Sequence, residues 1–331
     1  MTPPELDALL LAAGLGTRLH PLTEQIPKAL LPIYGVPLLD YHLERLLGAS
    51  RTPGIRRVTV NGHHLADAIH AHLAGHPHHD RLAFSFEPEI RGTGGAIAHA
   101  AENLRTDPFL VLNTKVLLAE LPLARVLDAH RRGRFALTLV LVRAPAWANV
   151  RVKGDRVTGI VRDAVEEDAW AFTGVQLVSR RVLRLLPDQG PHDIRDTYDR
   201  LIAQRALGAF LWEEERDPFL AIATPADYLN AQRAVANDGA CHFGLSVADL
   251  VARRRIQLAE GYGFIDASAR LGERCRIEES VVLAGAVIDP RVSLRRCIVG
   301  PGVQVTADAR NRLMTTLGSR EIGSTFGPSL R

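Results

Sequence analysis

Short apolar runs alternate with longer stretches of helical spacing through about residue 145, which is the pattern of strands and crossover helices in a doubly wound sheet. The strand candidates are Ala8 to Ala12, Arg57 to Asn61, Ala83 to Glu87, Phe109 to Asn113 and Ala136 to Val142. Between them, Leu38 to Leu47, Leu65 to Leu73, Gly95 to Leu104 and Leu123 to His130 carry apolar residues at helix spacing. Arg151 to Ile160 reads as a hairpin turning at Lys153-Gly154-Asp155, with Phe172 to Val178 and Phe219 to Ala223 as further strands. Ligands of such open sheets sit beyond the carboxyl ends of the strands, so the loops after these runs are where a site is expected.

A different period begins near Gly261. Ile265, Leu271 and Ile277 recur every six residues, Val282, Ile288 and Leu294 repeat the set 17 residues later, and Val299 and Val305 open a third round. With Gly272, Pro290, Gly300 and Gly302 at the turns, this resembles the hexapeptide repeat of a left-handed parallel β-helix, the alternative being an irregular β tail. The expected organisation is therefore a Rossmann-like doubly wound mixed α/β sheet over residues 1–240, a linker over 241–262, the β-helix over 263–306 and a loosely packed tail over 307–331.

A chain of 331 residues, 47% of them hydrophobic, suits about two domains with a sizeable core. The formal charge is only +3 and the basic residues are scattered, which argues against nucleic acid as a partner. Cys241, Cys275 and Cys297 are odd in number and lack metal-ligand spacing. No apolar run reaches spanning length, and Met1 to Asp7 lack the basic start and apolar core of a signal peptide, so a cytoplasmic protein without a membrane partner is expected.

Candidate chemistry concentrates between Leu9 and Pro37. An apolar run suited to a central strand leads into Gly14 and Gly16, where the backbone can turn sharply and approach a ligand. Amides of such a turn can face phosphate oxygens, Arg18 adds a forked donor and Lys28 a mobile point charge. No Gly-Lys-Ser/Thr closes the loop, so it is not a Walker loop. Ala12, Gly14, Gly16, Thr17, Arg18 and Lys28 are the candidate grip for a nucleoside triphosphate.

The string Gly14-x-Gly16-Thr17-Arg18, then Pro27-Lys28, then Gly35-x-Pro37 resembles the sugar-1-phosphate nucleotidyltransferases, or NDP-sugar pyrophosphorylases. The resemblance implies transfer of a nucleotidyl group from an NTP to a sugar 1-phosphate, release of pyrophosphate, and assistance by Mg²⁺; Arg18 and Lys28 would be the catalytic residues. Three further segments extend it over about residues 6–236. Val60 to Leu65 resembles the second strand and turn of members acting on hexose, heptose or muramic acid phosphates. Glu87 to Ala96 resembles the loop that cups the base, which implies Glu87, Gly92, Thr93 and Gly94 as nucleotide contacts. Phe172 to Val175 resembles the strand beside the sugar, which places Thr173 and Gly174 with Asn113 and Lys115 on the sugar side. A small β-helix often follows the catalytic domain in this family, for packing or oligomer contacts; acyltransferases use such helices with many more coils.

Two positions depart from the family. Its metal-binding aspartates are expected where this chain carries Lys115 and Ala221, the second position being fixed by the anchor Thr224-Pro225-x-Asp227. A lysine repels the ion and an alanine offers no side-chain oxygen, so no metal ligand is expected here, although the resemblance implies Mg²⁺ for the family. The sugar-side Glu-Lys-Pro type motif is also not evident between Ile160 and Phe172. Two readings stand. One is a binder of an NTP or NDP-sugar with weak or no metal-dependent catalysis, acting as a homo-oligomer or beside an active paralogue. The other is an active enzyme, taking a sugar 1-phosphate, with an altered metal site. His63, His64, His70, His72, His76, His78 and His79 crowd one region, but His76 to His79 fall in an expected loop with no nearby Cys and only Asp80 as a carboxylate, so they read as surface histidines, with His63 and His64 nearest the ligand face. Trp147 and Trp170 fit either packing or the sugar lobe.

Overall fold

The computed structural model describes residues 5–48, 54–162, 166–187, 189–214, 219–238, 246–254 and 256–323; Cys241 and part of the 160–172 segment lie outside them. Nine strands form the main sheet: β1 (Glu5–Leu11), β2 (Gly54–Gly62), β3 (Leu82–Phe86), β4 (Phe109–Asn113), β5 (Leu137–Val142), β6 (Ala148–Lys153), β7 (Arg156–Ile160), β8 (Trp170–Val178) and β9 (Leu207–Leu211). Their order is β3-β2-β1-β4-β8-β5-β9-β7-β6. The first four are mutually parallel, β8 runs antiparallel between β4 and β5, and β9 returns parallel to β5. The β6–β7 hairpin turns at Gly154, whose φ of 61° suits glycine.

Helices cover both faces, which is why the strands read as continuous apolar runs. Leu6, Ala8 and Leu10 of β1 pack toward α1 (Leu38–Leu47), α2 (Ala66–Ala74) and α4 (Leu123–Gly133). Leu9 joins the opposite core with α3 (Gly92–His99) and α5 (Ile194–Ala203). α5 and β9 have no counterpart among the strand and helix candidates above. Phe219–Ala221 is a strand but stands outside the main sheet, pairing antiparallel with Val116–Leu118, which the sequence pattern did not mark. α6 (Pro225–Ala236) starts on a capping box: the Asp227 amide donates to Thr224 Oγ1 at 3.2 Å and the Thr224 amide to Asp227 Oδ2 at 2.8 Å. α7 (Val247–Arg254) leads to the second unit. No helix among the described residues is long and apolar enough to cross a membrane.

The second unit is a parallel β-helix with three sheet faces. Ile265 pairs with Val282 and Val282 with Val299, while Leu271 pairs with Ile288 and Ile288 with Val305, reproducing the offset of 17 residues. Ile277 pairs with Leu294 on the third face. Ile265, Ile277, Val282, Ile288, Leu294, Val299 and Val305 are buried. Leu271 is the exception, 37% exposed. The outer edge of Ile265 is covered by Gln257–Leu258, and that of Glu278 by a bridge from Glu260, but Arg270–Leu271 is the edge of its face. The tail also differs from the loose segment expected: Arg312–Thr315 adds a parallel strand on Ile298–Val299 and folds back against Gly318–Glu321.

That last hairpin docks on the glycine loop. Leu313 and Ile322 share one buried cluster with Leu19, Leu22 and Leu31 and with Tyr228 and Leu229 of α6. Gln25 donates to Thr316 Oγ1 at 2.5 Å, Arg320 to the His20 carbonyl at 3.1 Å, and the Gly263 amide to Tyr34 Oη at 2.9 Å. Leu313→Ala should therefore lower stability by about 2–5 kcal/mol, as for a fully buried leucine whose cavity relaxes only in part. Thermal unfolding would measure it, and an unmoved midpoint would contradict the docking.

Candidate functional site

Beyond the carboxyl ends of β1 and β4 lies a cleft with about 290 Å³ of free space, near the lower end of the small-molecule range. Its floor is the turn after β1. Gly16 has φ of 67°, and a Cβ there would meet Thr23 Cγ2 at 2.9 Å, so the turn accepts only glycine. Thr23 Oγ1 donates to the Gly16 carbonyl at 2.9 Å and locks the turn. Gly14 is different: its φ is not positive and a Cβ would meet nothing within 4 Å, so its want of a side chain leaves cleft space open. Thr17 and Arg18 follow on a short 3-10 turn anchored by fully buried Leu19, and Lys28 opens another held by buried Ala29.

A side chain the sequence reading missed, Asn61, braces this floor. It is 2% exposed at the end of β2, and its Oδ1 accepts from the Ala12 amide at 2.6 Å and the Ala13 amide at 3.3 Å. Those two amides are thereby engaged within the protein, which leaves Ala12 only its methyl and carbonyl for a ligand. Asn61 Nδ2 donates to Glu87 Oε1 at 2.7 Å, and Glu87 Oε2 accepts from the Arg91 amide at 3.2 Å. Glu87 is 1% exposed, and with both oxygens engaged it works as a brace within the cleft wall. His63 Nδ1 meets the Glu87 carbonyl at 2.8 Å and His64 Nε2 the Thr23 carbonyl at 2.6 Å, so both histidines tie the same wall from behind. A buried asparagine at the end of a strand carries no signal by periodicity, since one polar residue ending an apolar run reads as the strand's end.

Gly92 and Thr93, at the start of α3, line the cleft, but Gly94 does not. The close approach that Gly94 permits is by His192: its amide donates to the His192 carbonyl at 3.0 Å, and a Cβ would lie 2.4 Å from the imidazole Cδ2. Thr173 and Gly174 are likewise off the cleft. Thr173 is fully buried and donates to the Val140 carbonyl at 2.8 Å, while Gly174, with φ of 83°, leaves room for the Asn113 side chain, 2.8 Å from where a Cβ would stand. Asn113 itself lines the cleft, with Gly174 behind it. Trp170 is buried beneath Arg143, whose guanidinium lies 3.9 Å from the ring centre, and Trp147 packs on the sheet core.

One part of the cleft wall is cationic. Arg18, Lys28 and Lys115 all line the cleft, and among the described residues none of the three side chains forms a hydrogen bond or a carboxylate ion pair. The Lys28 ammonium is pushed down to about 7, first by burial, then by the charges of Lys115 and Arg18, with Asp227 pulling the other way. Lys115 has accessible surface on the cleft wall, but the surrounding protein, and after it the Arg18 charge, lower its pKa as well. The arrangement is a set of donors short of an anion.

The residues do not fit a divalent metal. Ala221 supplies no side-chain oxygen, and the neighbouring Ile222 amide donates to the Lys115 carbonyl at 2.8 Å, so the two departures from the family stand side by side. Asp227, the nearest acid in effect on Lys28, spends Oδ2 on the Ala223 amide at 3.1 Å and the Thr224 amide at 2.8 Å. Among the described residues no three His, Cys, Asp or Glu side chains gather to hold a metal ion.

The Nucleotidyl transferase family matches residues 7–149. The chain is 32% identical over 235 residues to an N-acetylmuramate alpha-1-phosphate uridylyltransferase of Caulobacter vibrioides, across 66% of this chain and 95% of that relative. It is 28% identical over 332 residues to a mannose-1-phosphate guanylyltransferase of Mycobacterium tuberculosis, across 93% of this chain and 83% of that one. The crystal structure of HddC from Yersinia pseudotuberculosis shares the fold with a TM-score of 0.57 at 24% identity, covering 68% of this chain and 97% of that one. A second HddC structure, complexed with GMP-PN, gives a TM-score of 0.55 at 23% identity over the same shares. With a glycine turn, paired cations and a doubly wound sheet arranged as described, and with relatives matched over nearly their whole length, this chain belongs to the sugar-1-phosphate nucleotidyltransferase family.

Proposed function

We propose that the cleft binds the phosphates of a nucleoside triphosphate or an NDP-sugar and does not catalyse efficient metal-dependent nucleotidyl transfer. The observation that carries this is the convergence of Arg18, Lys28 and Lys115 on one cleft, with a lysine and an alanine where the family resemblance implies metal-binding aspartates. Relatives with uridylyltransferase and guanylyltransferase names support a nucleotide ligand. Three cations retain the attraction for a polyphosphate. What the chain lacks is a divalent charge bridging two phosphate groups, which would offset their repulsion as they meet.

Calorimetry with a panel of NTPs and NDP-sugars tests the binding. Arg18→Ala removes a forked, charge-assisted donor and should cost about 1.5–3 kcal/mol of binding. Unchanged affinity would count against the assignment.

Binding should also depend on pH in a stated direction. An anion raises the Lys28 pKa above its free value of about 7, so a proton is taken up on binding at any pH between the two values. For an NDP-sugar, whose phosphates keep a fixed charge over this range, affinity should be flat below pH 7 and fall above it, by up to about tenfold per pH unit for one linked proton. Rising affinity between pH 7 and 9 would show that Lys28 does not meet the phosphates.

Wild-type protein should release little pyrophosphate in the presence of Mg²⁺ with any pairing of NTP and sugar 1-phosphate. The double change Lys115→Asp with Ala221→Asp shifts the local charge by about three units toward the negative and should increase metal affinity. Robust Mg²⁺-dependent turnover by the wild type would establish the enzyme reading instead.

A further inference from the structure

The carboxylates that remain near the cleft are already committed. Glu87 holds Asn61 with one oxygen and the Arg91 amide with the other, and through Asn61 it fixes the floor amides of Ala12 and Ala13. Asp227 caps α6 and holds the Ala223 amide at the cleft edge. Drawing Glu87, or the Oδ2 of Asp227, toward a cation would undo the floor or the helix start. Lys115 meanwhile presents a positive charge on the cleft wall, and its effect reaches Lys28.

From this we infer that the cleft takes its nucleotide as the metal-free polyanion, and that Mg²⁺ opposes binding. The inference rests on the nucleotide reading above and adds the state of the ligand. A triphosphate carrying Mg²⁺ has two of its negative charges offset and brings a divalent ion toward Arg18 and two lysines. The same triphosphate without metal meets those cations with its full charge. Mg²⁺ therefore competes with the protein for the phosphate oxygens.

The test titrates the full chain with GTP, with UTP and with inorganic tripolyphosphate, each in EDTA and in excess MgCl₂ at matched ionic strength. Tripolyphosphate removes the question of the base. The expected result is binding in EDTA that weakens at least about tenfold in MgCl₂, as two units of the ligand's negative charge are offset. In Lys115→Gln, whose folding is checked by its thermal midpoint, the EDTA-to-MgCl₂ ratio should fall toward one. Equal or tighter binding with Mg²⁺ would overturn this inference and leave the nucleotide reading intact. An absence of binding by all three probes in both buffers would overturn both.

Discussion

Three cationic side chains on one cleft wall, with no carboxylate ion pair among the described residues, are the constraint on which the rest of this site depends. Like charges brought near one another in a protein wall repel, and each lowers the pKa of its neighbour. Burial first, and that repulsion after it, push Lys28 down to about 7. Such a cluster persists only where the backbone around it is fixed from other directions. The fixing elements are Thr23 closing on Gly16, Asn61 holding the Ala12 and Ala13 amides, and buried Leu19 and Ala29 pinning the segments that carry Arg18 and Lys28.

The β-helix takes part in that support. Its last hairpin covers Leu19 and Leu22 with Leu313 and Ile322, and hydrogen-bonds the loop through Thr316 and Arg320. The coils thus stabilise the loop carrying Arg18 as well as each other. In the same way Gly174 and His192, both away from the cleft, shape it from behind: one leaves room for Asn113, the other packs into the glycine stretch that opens α3. Several residues that look like ligand contacts in a sequence are here the supports of those that line the cleft.

The fold was legible because burial on both faces of a central sheet writes itself as uninterrupted apolar runs, as in Leu9 to Leu11, and because stacked coils repeat every 17 residues. Leu271 broke the second pattern since periodicity marks a rung but not whether a neighbour covers its edge. The Val116–Leu118 and Phe219–Ala221 pair is joined across about a hundred residues, and local spacing carries no trace of such a partner. Within the site, Arg18, Lys28 and Lys115 were legible as charges that need a purpose. Asn61, Gly94 and Thr173 were not, because their roles are set by what packs against them: loop amides, His192 and the Val140 carbonyl.

The central claim is that the crowded ammonium groups are an anion site. It is tested most directly by NMR titration of the lysine side-chain nitrogens, with Lys28→Arg and Lys115→Arg used to assign them. The account predicts that Lys28 titrates near 7 in the free protein and moves up by at least about one unit when tripolyphosphate is added, as an approaching anion favours the charged form. A Lys28 titration at the ordinary lysine value, unmoved by the anion, would contradict it.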